Sequence, residues 1–80
     1  MLTGEQIRAA RALVRLEQTE LAVQSGVSLP TIKRLEQMIG PISANTRTEA
    51  AIRHALGEAG VIFIDENGEG PGVRLRKVRD

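Results

Sequence analysis

A single glycine, Gly26, separates two short segments of helical character in the middle of the chain. The first covers about residues 18–25, and the second covers about residues 28–38. Ser28 is a favourable N-cap for the second helix, and Pro30 falls in its first turn, where a missing N–H costs nothing. A glycine just past a helix end allows the left-handed backbone that reverses the chain. The spacing therefore predicts a helix-turn-helix unit.

Two further helices are predicted around this unit. The first runs from Gly4 to about Arg15, with Thr3 as its N-cap. The fourth begins near Asn45, continues to about Gly57, and is followed by a second glycine at position 60. Eighty residues form one domain with one core, and we expect residues 1–60 to be its helical part.

The chain changes its hydrophobic period after residue 60. Residues 61–64 are Val-Ile-Phe-Ile, a strongly β-prone run, and residues 73–77 alternate apolar with basic side chains. Turn-forming residues rich in glycine separate them. We therefore predict a mainly α domain of four helices, followed over residues 61–80 by a short C-terminal β-hairpin or strand pair and a basic tail that includes Arg79.

The first helix carries an apolar stripe with one charge in it. The predicted stripe consists of Ile7, Ala10, Leu13 and Val14. Arg11 lies four residues after Ile7 and points along the same stripe, so it needs an anion near the core. Glu36 falls at the edge of the buried face of the third helix, and we predict a structural Arg11–Glu36 ion pair. The alternative is that both head groups reach solvent.

Catalytic groups are scarce in this composition. The chain has no cysteine and one histidine, His54, within a predicted helix. The glycine-rich segment precedes a strand, so it lacks the helix N-terminus of a phosphate-binding loop. We expect no enzyme activity, no metal site, no cofactor and no small-molecule effector. With no apolar run of about 18 residues, we expect a cytoplasmic protein with no membrane segment.

The third helix has a distinctive face opposite Ile32 and Leu35. DNA-recognition helices present base-reading groups near their N-termini. We predict that base edges are faced by Ser28, Leu29, Pro30, Lys33 and Arg34, and that phosphates are bound by Gln18, Thr31 and Gln37. The alternatives are a solvated helix face for Lys33 and Arg34, and a contact with the neighbouring turn for Leu29.

Residues 5–57 resemble the XRE family of helix-turn-helix proteins, which includes phage Cro and lambda-type repressors. The resemblance rests on Ile7 with Arg11, on Gln18-x-Glu20-Leu21-Ala22 followed by Gly26-Val27-Ser28, and on Thr31-Ile32-x-Arg34-Leu35-Glu36. It implies a lambda-repressor-like, usually dimeric domain that regulates transcription in bacteria or their phages. It also implies that Gln18 contacts the DNA backbone, that Ser28, Leu29, Pro30 and Arg34 face bases, and that Arg11 and Glu36 form an ion pair.

The tail departs from this family, whose members often end in a fifth helix. We expect a homodimer on a near-palindromic DNA operator, formed through Val61, Ile62, Phe63, Ile64, Val73 and Leu75. The alternative is that the hairpin caps the helices of its own chain. Function has an alternative too. Instead of a repressor binding double-stranded DNA, the chain would be an antitoxin-like or accessory module that binds a protein partner and DNA only secondarily.

Overall fold

Four helices are followed by an antiparallel hairpin in the computed structural model, which describes residues 1–78. The elements are α1 (Gly4–Val14), α2 (Gln18–Ser25), α3 (Leu29–Glu36), α4 (Thr46–Glu58), β1 (Val61–Ile64) and β2 (Gly72–Leu75). This confirms the predicted order of four helices and one strand pair. Arg79 of the predicted basic tail lies outside the described residues. No helix of residues 1–78 has the length and apolar character needed to cross a membrane.

The helix starts are where their capping residues predict them. Thr3 accepts from the Gln6 N–H while the Gln6 side chain accepts from the Thr3 N–H, a reciprocal capping box. Asn45 caps α4 by accepting from the Thr48 N–H at 2.7 Å. Gly26 ends α2 with a φ of 74°, the left-handed conformation expected at that turn.

The end of α3 was predicted too late. The helix stops at Glu36, although the pattern extended it to about residue 38. The Gln37 N–H bonds to the Arg34 carbonyl and the Met38 N–H bonds to the Leu35 carbonyl, both three residues back. Such bonds tighten the last turn and end the α-helical ladder. Gln37 is therefore the C-cap of α3 rather than part of its interior.

The core is aliphatic and draws on every helix and on β1. Its buried members are Leu2, Ile7, Ala10, Leu21, Ile32, Leu35, Ile42, Ile52, Ala55, Leu56 and Val61. Leu13, predicted to lie in the stripe of α1, is instead 37% exposed. It follows Ile7 by six residues, which places it about 120° away around a helix of 3.6 residues per turn.

The N-terminus of α1 lies directly against the C-terminal end of α3. A Cβ added to Gly4 would collide with the Met38 carbonyl and would come within 2.7 Å of the Leu35 carbonyl oxygen. The Gly4 N–H donates to the Gly40 carbonyl at 3.2 Å, and the Glu5 carboxylate accepts from the Gly40 N–H at 3.0 Å. Backbone N–H bonds, from Glu5 itself and then from Gly40, lower the pKa of the Glu5 carboxyl.

The two strands pair within one chain. Val61 lies opposite Leu75 and Ile64 lies opposite Gly72, so β2 begins and ends earlier than the predicted residues 73–77. At the loop end of the hairpin, Gln6 Nε2 donates to the carbonyls of Ile64 (3.3 Å) and Gly72 (3.0 Å). One buried amide of α1 thereby holds the end of both strands.

Strand β1 packs against α4. The Arg53 guanidinium of α4 lies 5.3 Å from the centroid of the Phe63 ring, at cation–π distance. Phe63 and Val73 are half-buried against the helical core, and Val61 is within it. The hairpin is thus packed on the helices of its own chain, which the sequence analysis gave as the alternative to pairing with a second copy.

Candidate nucleic-acid interface

Helix α3 has one buried face and one exposed face. Ile32, Leu35 and Glu36 are buried. The exposed face contains Pro30, Lys33 and Arg34 and continues to Gln37, with Ser28 at its start. Leu29 and Thr31 are half-buried beside it. The structure therefore brings seven of the eight predicted DNA-facing residues to one end and one side of α3, and the eighth, Gln18, lies on α2.

The two cations on this face have different surroundings. Lys33 is exposed and its side chain has no hydrogen-bond partner among residues 1–78. The Arg34 Nη1 donates to the Ser43 carbonyl at 3.5 Å, a long and weak bond. Most of the Arg34 guanidinium therefore retains its donors, and its planar fork is the group best suited to a bidentate contact with guanine.

The hydroxyls of Ser28 and Thr31 are hydrogen-bonded to each other at the start of α3. Ser28 Oγ accepts from the Thr31 N–H at 3.4 Å and donates to Thr31 Oγ1 at 2.8 Å. The first turn of the helix uses these two groups as its cap. Each oxygen keeps a lone pair that can accept from a base amino group, and the Thr31 hydroxyl keeps its proton for a phosphate oxygen, so a contact with DNA would add to the cap rather than replace it.

Glu36 connects three helices. Its carboxylate accepts from Arg11 twice, with Nε–Oε2 at 2.6 Å and Nη2–Oε1 at 2.8 Å. The side chain of Glu36 is 4% exposed and that of Arg11 is 20% exposed. Arg11 also donates to the Leu16 carbonyl at 2.9 Å. The hydrogen bonds to Glu36 raise the pKa of Arg11, against the opposing effect of burial. The predicted structural pair is confirmed, and its geometry is bidentate.

Gln18 is held by the same carboxylate. Its Nε2 donates to Glu36 Oε1 at 3.1 Å, so one of its two amide protons is occupied. Glu17 is the N-cap of α2 and Glu20 lies in its first turn, where the Glu20 carboxylate accepts from the Glu17 N–H at 2.8 Å. Phosphate binding here would use the second Gln18 proton and backbone N–H groups, with exposed Arg15 three residues earlier.

Sequence reasoning missed Arg47, which lies in the first turn of α4 and is exposed. Arg47 and Thr48 line a groove of about 310 Å³ together with Ser28 and Thr31 of the α3 start. A cation is therefore placed beside the predicted base-facing residues from another helix. The sequence did contain a signal for it, because Arg47 comes two residues after the Asn45 cap. A helix N-terminus favours an anion such as a DNA phosphate, and an arginine beside it would add to that attraction.

The predicted dimerisation residues have unequal access to a second copy. Val61 is 2% exposed and belongs to the core of its own chain, so its side chain is not available. Phe63 and Val73 are half-buried against that core, and Ile62 and Ile64 are also half-buried. Leu75 is 51% exposed. Both strands that carry these residues pair with each other within one chain.

No group of three or more His, Asp or Glu side chains among residues 1–78 could hold a metal ion. His54 is an exposed residue of α4. Neither a scan against known protein families nor a search of curated proteins finds a match to this chain.

Proposed function

We propose that this chain is a sequence-specific DNA-binding regulator of the XRE type, with a lambda-repressor-like arrangement of α1 to α4, and that it represses transcription. The observation that carries the proposal is the exposed face of α3. It presents Lys33 and Arg34 to solvent, while the opposite face is locked into the core through Ile32, Leu35 and Glu36. A rigid helix with a free cationic face suits insertion into the major groove, which is wide enough for an α-helix.

The orientation of α3 supports this role. Glu36 bonds to Arg11 of α1 and to Gln18 of α2, so the carboxylate fixes α3 to both neighbouring helices. Recognition requires side chains to reach base edges in a defined register, which phosphate contacts and a fixed frame provide. We assign base contacts to Arg34 and to the Ser28–Pro30 segment, and backbone contacts to Thr31, Gln37, Arg47 and the N-terminus of α2. Lys33, predicted among the base-facing residues, is assigned a backbone contact as well, because a single ammonium charge attracts phosphates without selecting a base.

The proposal predicts different effects for the two cations of α3. We expect Arg34→Ala to cost about 1–3 kcal/mol of binding free energy on the preferred duplex and to relax the preference at one base pair. Lys33→Ala should weaken binding to all duplexes evenly and reduce the salt slope by about 1. The measurement is fluorescence anisotropy with duplexes selected from a random pool, over a range of salt concentrations.

The matched control is Arg76→Ala, which removes the same charge from an exposed position after β2. Its effect should be smaller than that of either substitution in α3, because it lies outside the proposed interface. Equal affinity for scrambled and selected duplexes at moderate salt would contradict the proposal. So would equal losses for Arg34→Ala and Arg76→Ala on every sequence.

The homodimer stays a prediction, and its test is the stoichiometry on DNA. We expect two copies on a near-palindromic operator, with half-site centres roughly 34 Å apart or a multiple of that spacing. Sedimentation of the complex measures the number of copies bound. Deleting one half-site should leave a single, more weakly bound copy. A single copy saturating the full operator would contradict the prediction.

A further inference from the structure

Strand β2 has a free edge. The Arg76 N–H donates to the Gly60 carbonyl at 2.7 Å, which continues the ladder of the pairs Ile62–Arg74 and Ile64–Gly72. In an antiparallel ladder alternate residues bond to the partner strand, so the backbone N–H and C=O groups of Val73 and Leu75 point away from β1. The sheet has two strands within residues 1–78, and no third strand covers this edge.

The side chains along this edge alternate in character. Val73 and Leu75 lie on the face that meets the helices, whereas Arg74 and Arg76 are exposed. Beside the start of β2 lies a groove of about 490 Å³, whose apolar lining includes Ala9 of α1, Ile39, Pro71 and Val73.

Apolar surface in and beside this groove is left uncovered. Ile39 is 90% exposed and Leu75 is 51% exposed. Leu13, on the same face of α1 as Ala9 and one turn further on, is 37% exposed. An extended segment laid along the edge would complete backbone hydrogen bonds and cover apolar surface at once.

A second copy of this chain fits the edge poorly. If Val73 paired with Leu75 of the copy, Arg74 would lie opposite its own equivalent. If Leu75 paired with its own equivalent, Arg74 would lie opposite Arg76 of the copy. Both registers place like charges directly across from each other, which is destabilising, and charged edge strands are a common protection against self-pairing. A third register, with Val73 opposite its own equivalent, sets Leu75 against Pro71, which has no N–H to donate to the ladder.

We propose that the free edge of β2 binds an extended, acidic segment of a partner protein as a third strand. Alternate residues of the segment are apolar and pack over the groove, while the residues between them are acidic and face Arg74 and Arg76. The position opposite Arg74 belongs to a non-hydrogen-bonded pair, in which the two side chains are closest. At the Pro71 end, Glu5 lines the groove, so that end takes a neutral residue.

Charge and shape decide between this partner and DNA. A phosphate backbone would be attracted by Arg74 and Arg76, but it offers nothing to the apolar side chains of Leu75 and Ile39. Strand addition uses both the backbone groups and the alternating side chains of the edge. The inference concerns a surface other than the exposed face of α3 and does not depend on DNA binding.

The test is a titration of the ¹⁵N-labelled full chain with a capped hexapeptide of alternating valine and glutamate, followed by NMR. We expect saturable shifts of the Val73 and Leu75 amides and protection of both from hydrogen exchange, with no shift of the α3 amides. The control peptide has lysine in place of glutamate and should bind about tenfold more weakly, since each cross-strand charge pair contributes up to about 1 kcal/mol.

Two variants test whether the peptide binds at the free edge of β2. Leu75→Pro removes an N–H that points away from β1, so it should abolish peptide binding and leave the β1–β2 pairing intact. Arg74→Glu combined with Arg76→Glu should reverse the preference, so that the lysine peptide binds more tightly than the glutamate peptide. The reversal is independent of whether the proline variant folds, which thermal melting of both variants checks.

Three results would overturn the inference. One is the absence of shifts at Val73 and Leu75 at millimolar peptide. Another is equal binding of the two peptides. The third is a chain that is a dimer without peptide and whose Val73 and Leu75 amides are already protected from hydrogen exchange. That result would make a second copy the occupant. Shifts of the same amides on adding duplex DNA alone would reassign the edge to nucleic acid.

Discussion

Replacing Gly4 by alanine should lower the melting temperature by roughly 10–20 °C, because the added Cβ would need space that backbone atoms occupy. The two nearest atoms are the carbonyl oxygens of Met38 and Leu35, and neither is the flexible end of a side chain. Relief requires α1 to move away from α3. That movement would also stretch the Gly4–Gly40 and Glu5–Gly40 hydrogen bonds. We expect a loss of about 2–3 kcal/mol in unfolding free energy.

The matched control is Gly57→Ala in α4. No atom lies within 4 Å of the Cβ position there, and the residue is helical. Alanine should therefore stabilise the chain by about 0.5–1 kcal/mol, since glycine has the greater conformational freedom to lose in a helix. Thermal and urea unfolding followed by circular dichroism measures both variants. A Gly4→Ala variant that melts with the parent would show that α1 and α3 are further apart than described.

The second large effect is expected for Arg11→Met. This substitution leaves the Glu36 carboxylate buried with one remaining donor, the Gln18 amide. Removing one member of a buried pair typically costs about 3–5 kcal/mol, because the remaining charge has no counter-ion. For a chain of this length, a loss of that size is a large part of the total stability. The measurement is urea unfolding at neutral pH.

A half-buried ion pair, more exposed than that of Glu36, provides the comparison. Glu49→Gln breaks a pair with Arg53 within α4, where both side chains are 29% exposed, and should cost below about 1 kcal/mol. Replacing both Arg11 and Glu36 by apolar residues should recover much of the loss from Arg11→Met, because no charge is then left buried. An Arg11→Met variant as stable as Glu49→Gln would contradict the buried pair.

Local signals in the sequence predicted the local structure. Caps at Thr3, Ser28 and Asn45 and the turn at Gly26 depend on neighbours within four residues, so the helix starts could be read directly. The hairpin was also predictable, because its strands have a different period from the helices. The end of α3 was placed too late for the opposite reason, because the i−3 bonds that end it depend on backbone geometry rather than on residue type.

Most features that depend on the approach of distant segments could not be predicted. Nothing near Gly4 in the sequence indicates that the carbonyls of Leu35, in α3, and Met38, just after it, lie against it. The docking of the hairpin was undecided because the two carbonyls that Gln6 binds are 58 and 66 residues away. The wrong prediction for Leu13 has a different cause. Ile7, Ala10 and Leu13 are spaced by three residues, and two such steps rotate the side chain away from the buried face of the helix.

The candidate interface also has features that the sequence predicted and features that it did not. The exposed side of α3 followed from helical periodicity, and the Arg11–Glu36 pair followed from a charge placed on a buried stripe. Arg47 was missed because its proximity to Ser28 and Thr31 arises from the packing of α4 across the turn before α3. The bond from Gln18 to Glu36 was missed as well, since it joins residues 18 positions apart.

The docking of the hairpin determines where the chain can be shortened. A truncation after Gly60 looks like a clean removal of the tail, since the last helix ends at Glu58. It would, however, delete a residue of the core, Val61, and strand the buried amide of Gln6 without its two carbonyl partners. Loss of activity in such a deletion would report a damaged fold. Substitutions at exposed Leu75 or Arg74 are the appropriate means of separating the roles of the tail from its structural contribution.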